Sequence, residues 1–226
     1  MFKKAIQSNI SKGFNLSKKF LVRGFSSKQN LVNCFTTEIN YEEGEYKPIS
    51  SEEKQVFLKN TGFEFLESET SPKMELKKTI NGFQVQIRYH ARAPLPNQEE
   101  ELDENQKEAE PGNMTDIQVL IQKEGKTSGF LVDAVVIDGN ISVNAVHISD
   151  NIQEFYAKIM TGKVDPDIYE GPDFQSLDEN LQQAFFEFLG ELGIGEETAA
   201  FIEVTSLDKD QFLYMNWLKT CKNLLI

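Results

Sequence analysis

Thr79-Ile80-Asn81-Gly82-Phe83-Gln84-Val85-Gln86-Ile87-Arg88-Tyr89-His90 decides the fold class of this chain. Asn-Gly stands between two apolar runs, and both positions of a two-residue hairpin turn need positive φ, which Asn and Gly tolerate best. After the turn, Phe83, Val85, Ile87 and Tyr89 alternate with Gln84, Gln86, Arg88 and His90, the period of a strand with one buried face. Before it, Met74, Leu76, Thr79 and Ile80 supply the partner strand. Further along, Ile117, Val119 and Ile121 alternate in the same way. Gly125-Lys126 turns that strand into Phe130–Ile137, and Asp138-Gly139-Asn140 turns again into Ile141–Ile148. Residues 63–149 therefore read as an antiparallel meander with one polar face.

The meander is interrupted at Asn97–Gly112. Glu99, Glu100, Glu101, Asp103, Glu104, Glu108 and Glu110 stand there against Lys107 alone, with no aromatic residue. Such a segment cannot bury enough apolar surface to offset the entropy of ordering, so it is expected to be a disordered acidic loop. Helical patterns flank the strands. Leu31, Phe35 and Ile39 mark a short helix over about 31–45, ended by Gly44 and Pro48. Ser176-Leu177-Asp178-Glu179 matches a capping box. It leads into a stripe of Leu177, Leu181, Ala184, Phe185, Phe188, Leu189 and Leu192, which Gly193 and Gly195 stop. A helix over about 196–206 and another over about 208–225 follow, the last with Phe212, Met215, Trp217, Leu218 and Cys221. The class is α+β: a twisted antiparallel sheet with one N-terminal and two or more C-terminal helices. Phe185, Phe188, Phe212, Trp217 and Leu218 are candidates for the core and for a subunit interface, because one sheet face needs fewer aromatics.

The chain has 226 residues and a net charge of −13, from 36 acids and 23 bases. That balance argues against a primary nucleic-acid binder, which needs clustered Lys and Arg, and favours a basic partner. A mean hydropathy of −0.42, with no apolar run of about 18 residues, argues against a membrane-spanning helix. Two cysteines, Cys34 and Cys221, support neither a disulfide framework nor a cysteine zinc finger. The charge is uneven. Residues 1–37 hold seven bases and no acid. Phe2, Ala5, Ile6, Ile10, Phe14, Phe20 and Leu21 share one side of a helical wheel, opposite Lys4, Lys12, Lys18 and Lys19. A basic, amphipathic, acid-free start is the make-up of a mitochondrial presequence. Arg23-Gly24-Phe25-Ser26 resembles a matrix-protease site, so residues 1–25 are expected to be a presequence and 26–226 one acidic domain. The competing reading is a basic surface helix or a nucleic-acid arm; a secretory signal is opposed by Lys12, Lys18 and Lys19.

The search for chemistry points away from catalysis. His90 and His147 lie in strand patterns without Ser–His–Asp or His–Cys spacing. Gly193-Ile194-Gly195 lacks the third glycine and preceding strand of a phosphate loop. Asp165-Pro166-Asp167 and Asp138-Gly139-Asn140 do not continue into a calcium loop and read as turns. Paired carboxylates abound because the surface is acidic. No cofactor, metal or catalytic residue is expected.

Five stretches carry a family resemblance: Gly62-Phe63-Glu64-Phe65, Tyr169-Glu170-Gly171-Pro172-Asp173-Phe174, Leu177-Asp178-Glu179-Asn180-Leu181-Gln182, Phe188-Leu189-Gly190-Glu191-Leu192-Gly193-Ile194 and Tyr214-Met215-Asn216-Trp217-Leu218-Lys219. Their order resembles the mitochondrial acidic matrix protein family, whose animal member is the complement component one q-subcomponent binding or hyaluronan-binding protein. The resemblance spans about 31–226. It implies a ring-shaped homotrimer with one strongly negative face, and a non-enzymatic, multifunctional binding role in the matrix, linked to translation, ribosome assembly and oxidative phosphorylation. The chain departs from the family in its adjacent Phe185 and Phe186 and its apolar Leu224-Leu225-Ile226 tail, which suit a heterotrimer with a paralogue or a copy docked in a larger assembly.

The function expected is that of an acidic scaffold or chaperone for basic matrix proteins such as ribosomal proteins, with RNA reached mainly through them. The alternative is a structural subunit of a respiratory-chain or mitoribosomal assembly. Cut before Ser26, the chain would carry −19 and a trimer −57, a field that concentrates basic partners. The seven acids of the loop are the expected contact.

Overall fold

Asn81 and Gly82 adopt φ of 52° and 76°, and Asp138 and Gly139 adopt 50° and 75°. Two of the meander's connections are thus the tight left-handed turns that Asn-Gly and Asp-Gly encode. The computed structural model describes residues 27–91, 114–163, 169 and 171–226. Among them six strands follow one another: β1 (Glu64–Glu67), β2 (Lys73–Ile80), β3 (Phe83–His90), β4 (Met114–Lys123), β5 (Gly129–Ile137) and β6 (Asn140–Ser149). They form one sheet in sequential order, every neighbouring pair antiparallel. The expected meander is present.

Among the described residues the chain also forms five α-helices: α1 (Ser27–Glu45), α2 (Ser51–Thr61), α3 (Ile152–Met160), α4 (Glu179–Glu191) and α5 (Glu196–Leu225). The described residues form two compact units. One comprises 47–91, 114–163, 169 and 171–213, and the other 27–46 and 214–226.

In the sheet unit, register aligns the apolar residues into cross-strand rows. Leu76 faces Ile87, which faces Val119, which faces Val132; Met74, Tyr89, Ile117 and Ala134 form the adjacent row. This face is buried under Phe57 of α2, Leu189 of α4 and Phe201 and Ile202 of α5, together with Phe63, Leu192 and Ile194. Phe57 stacks on Phe201 at 3.9 Å between ring centroids, and Phe65 meets Phe201 edge-on at 5.4 Å. Burial of such rings contributes about 1.5–3 kcal/mol each.

The structure corrects the sequence reading at five places. The face expected to be polar is apolar at Leu120 and Leu131, where Ile152 and Phe155 of α3 cover it. Strand β5 is therefore buried on both sides, consistent with its almost unbroken apolar run. Helices α2 and α3 were not expected. Yet α2 carries a full capping box, with Ser50 and Glu53 satisfying each other's backbone N–H, and ends on Gly62 at φ 72°. The side chain of Asn151 accepts from the Glu154 N–H to cap α3. The capping box expected at Ser176 is not formed. Asp178 is the cap, accepting from the Asn180 N–H at 3.0 Å, while the Ser176 hydroxyl donates to the Asp173 carbonyl at 2.7 Å. Finally, the two helices expected over 196–206 and 208–225 are one helix of 30 residues. No Gly or Pro falls in that span to stop it.

Candidate interaction surface

The acids of α4 and the first turn of α5 are placed outward by the helical period. Phe185, Phe188 and Leu189 turn towards the sheet core, so Glu179, Glu187 and Glu191 are exposed. Glu196 and Glu197 are exposed at the start of α5. Glu179, Glu196 and Glu197 also lie in first turns, where the helix dipole favours a negative charge. Glu187 accepts a hydrogen bond from Gln183 Nε2 at 3.0 Å. Among the described residues, no cation forms an ion pair with any of these five glutamates. The reason lies in composition: residues 164–208 contain twelve acids and no Lys, Arg or His. Leu181 and Phe186 are exposed on the same α4 helix, Phe186 being 40% exposed while its ring edge meets Phe174 at 5.5 Å. This surface combines fixed negative charge with accessible apolar groups.

Other acids are neutralised. Glu67 on β1 receives Lys54 of α2 and Lys209 of α5, each at 3.1 Å, and Lys54 also lies 3.7 Å from Asp208. The Asp208 carboxylate accepts from the Ile49 N–H at 3.2 Å. Burial pushes the Glu67 carboxyl up, but the two lysine hydrogen bonds outweigh it and hold the group below the usual carboxylate range. Nearby, Tyr89 Oη and Thr205 Oγ1 are 2.8 Å apart in the core, and the Ser206 hydroxyl donates to the His90 carbonyl at 2.9 Å. These contacts tie α5 to β1 and β3.

On the far face of the sheet, Arg88 and His147 are also matched. Arg88 bonds Glu75 at 3.1 Å and Gln86 at 3.0 Å, and its guanidinium lies over the Tyr156 ring of α3 at 4.4 Å. His147 is buried with Nε2 2.9 Å from Asp133, its ring beside Phe155. Its surroundings are those of a packed strand histidine.

Of the aromatic candidates, Phe185 meets Phe130 and Phe174 edge-on at 6.1 and 5.9 Å, and Phe188 meets Phe83 at 5.5 Å. Both cover the sheet of their own chain. Phe212 is half-buried, with the Lys209 ammonium 5.3 Å from its ring centre. In the second unit, Ile39, Met215 and Leu218 are buried together. Trp217 meets Phe35 edge-on at 6.1 Å yet remains 56% exposed. The Tyr214 hydroxyl donates to Glu38 at 3.1 Å, and burial together with that carboxylate pushes it up to about 12. Cys34 is exposed and Cys221 half-buried, both free. The acidic loop at Asn97–Gly112 and the expected presequence at 1–25 lie outside the described residues. The surface on α4 and α5 was not singled out from sequence; the long stretch without a base was its signal.

Solved structures with this fold include a Leishmania major protein described as a sequence homologue of human p32. It has a TM-score of 0.67 and 18% identity over 89% of this chain and all of that one. The p22 protein of Trypanosoma brucei gives a TM-score of 0.64 and 18% identity, over 88% of this chain and 99% of its own. Among sequence relatives, mitochondrial acidic protein mam33 of Schizosaccharomyces pombe is 22% identical over 213 residues, covering 88% of this chain and 78% of the relative. An uncharacterized mitochondrial protein of Arabidopsis thaliana is 29% identical over 122 residues, 51% of this chain and 43% of that protein. The family described as mitochondrial glycoprotein, MAM33, matches residues 35–225. With the meander, the acidic character and the helix order in place, the chain belongs to this family and is a mitochondrial protein.

Proposed function

We propose that this protein is a non-enzymatic acidic scaffold or chaperone of the mitochondrial matrix, holding basic proteins such as ribosomal proteins by long-range charge. Through them it supports mitochondrial translation, ribosome assembly and oxidative phosphorylation, and it reaches RNA mainly through its protein partners. The observation that carries this reading is the set of five exposed glutamates on α4 and α5, unpaired among the described residues, in a 45-residue stretch without a base. A surface of one sign raises encounter rates with the opposite sign, and the effect falls with salt over a Debye length of about 8 Å at physiological ionic strength. The loop acids Glu99, Glu100, Glu101, Asp103, Glu104, Glu108 and Glu110 are proposed to add to the same field, multiplied in a homotrimer or in a heterotrimer with a paralogue.

The test is a salt titration of binding to purified basic mitochondrial ribosomal proteins. Replacing Glu179, Glu187, Glu191, Glu196 and Glu197 by Gln should weaken binding at low salt and flatten its salt dependence. Replacing the seven loop acids should do the same. Equal binding by parent and both variants across the titration overturns the reading. Assembly is checked separately by light scattering: Trp217→Ala should weaken the trimer, and a monomeric parent removes it from the proposal. The exposed Trp217, Leu224 and Ile226 favour a second reading, a fixed subunit of a respiratory-chain or mitoribosomal assembly. Stoichiometric recovery with one complex at high salt would select it.

A further inference from the structure

A cavity of about 420 Å³ opens where β1, β2 and β3 end, walled by Leu66, Met74 and Tyr156 among others. Its charged lining is Lys73 and Arg88 with Glu67 and Glu75, and His90 stands beside them. Strand register sets Lys73 directly opposite His90 and Glu75 opposite Arg88. The two carboxylates on the wall are already matched: Glu67 by Lys54 and Lys209, Glu75 by Lys77 at 3.0 Å and Arg88 at 3.1 Å. The Lys73 ammonium and the His90 ring have no such partner among the described residues. Ser68 and Ser71 add hydroxyls, and Ser71 Oγ accepts from the Lys73 N–H at 3.2 Å, leaving its own proton to donate.

Like charges directly opposite each other in neighbouring strands repel. Burial, followed by the charge of Lys73, holds His90 below its ordinary range, which favours the neutral imidazole. An anion lying between the two would offset the charge of Lys73 and accept from the imidazole N–H. The donors exceed what the two oxygens of a carboxylate would use: three on the Lys73 ammonium, the uncommitted N–H groups of Arg88, two serine hydroxyls and the imidazole. Three phosphate oxygens match them better. The space exceeds that of bare phosphate, and Leu66 and the Tyr156 ring give it an apolar wall.

We propose that this cavity binds a small organic phosphate monoester, with Lys73, His90, Arg88, Ser68 and Ser71 on the phosphate and Leu66 and Tyr156 against the organic group. The site is independent of the acidic surface on α4 and α5, and stands or falls separately from it.

His90 and His147 are the two histidines of the chain, which makes imidazole NMR a direct readout on the full chain. At constant ionic strength, phenyl phosphate should shift the His90 resonances saturably and leave those of His147, held on Asp133, in place. Inorganic phosphate should produce the same shift at several-fold higher concentration. Lys73→Gln should raise the phenyl phosphate concentration needed by about tenfold, the worth of one charge-assisted hydrogen bond. Lys73 is exposed, so the fold should tolerate the change, and unchanged His147 resonances would verify that. A His90 shift that does not saturate, that chloride reproduces, or that Lys73→Gln leaves intact overturns the proposal. Equal affinity for phenyl phosphate and inorganic phosphate overturns the organic ligand.

Discussion

Glu67 and Asp208 on one side, and Glu187 and Glu191 on the other, are the same kind of charge in opposite circumstances. The first two sit among Lys54 and Lys209. There carboxylates and ammonium groups join α2, β1 and α5, and their charge is spent within the fold. The second two stand exposed on α4, with no cation paired to them among the described residues. Their charge is available to a partner. Net charge alone therefore does not locate the surface an acidic protein offers to a partner. What matters is which acids the fold leaves without a base, and residues 164–208, which contain α4, supply none of their own.

The comparison can be tested from its strongest effect downward. Both regions depend on α5 lying on the sheet, so Phe201→Ala should have the largest effect. It removes the ring stacked on Phe57 at 3.9 Å and edge-on to Phe65, and should cost about 3–5 kcal/mol in urea unfolding. Lys209→Ala should come next, at about 1–3 kcal/mol, because Lys209 is 5% exposed and half of the support of Glu67. Its pH dependence has a definite sign. Glu67 is held low in the folded chain, so its contribution is present above about pH 4.3, the unfolded value. It is lost as pH falls through the lower folded value. The variant should therefore lose less stability than the parent on acidification; an equal loss would place the acid sensitivity elsewhere.

Tyr89→Phe should cost about 1 kcal/mol. The cost stays small because Thr205 Oγ1 keeps its bond to the Phe201 carbonyl at 2.7 Å. Last, changing the five glutamates of α4 and α5 to Gln should move the melting temperature least, since exposed charges without a partner contribute about 0–1 kcal/mol each. A drop as large as that of Lys209→Ala would mean that this surface is structural after all.

Much of the meander was legible because its signals are local. Asn81-Gly82 and Asp138-Gly139 carry their turn conformations in their own side chains, and alternation over Phe83–His90 assigns each residue to a face. The short helices were legible only in part. Ser50 and Glu53 announce α2, and Asn151 with Glu154 announces α3, but both runs are short and isolated helices of that length are marginal. Packing on the sheet makes them helices. At Ser176 the sequence offered two acceptable caps, and the preceding turn, which occupies the Ser176 hydroxyl with Asp173, selected Asp178. At Leu207 nothing local separates one helix from two.

Residue order alone was enough to establish the sheet, its turns, the acidic excess and the family. These rest on backbone preferences and on patterns a few residues long. Where the charge acts was decided in three dimensions. Glu67 and Lys209 are 142 residues apart and meet only because β1 and α5 pack together. Ion pairs and clefts depend on distances between remote segments, and no local preference along the chain encodes those distances.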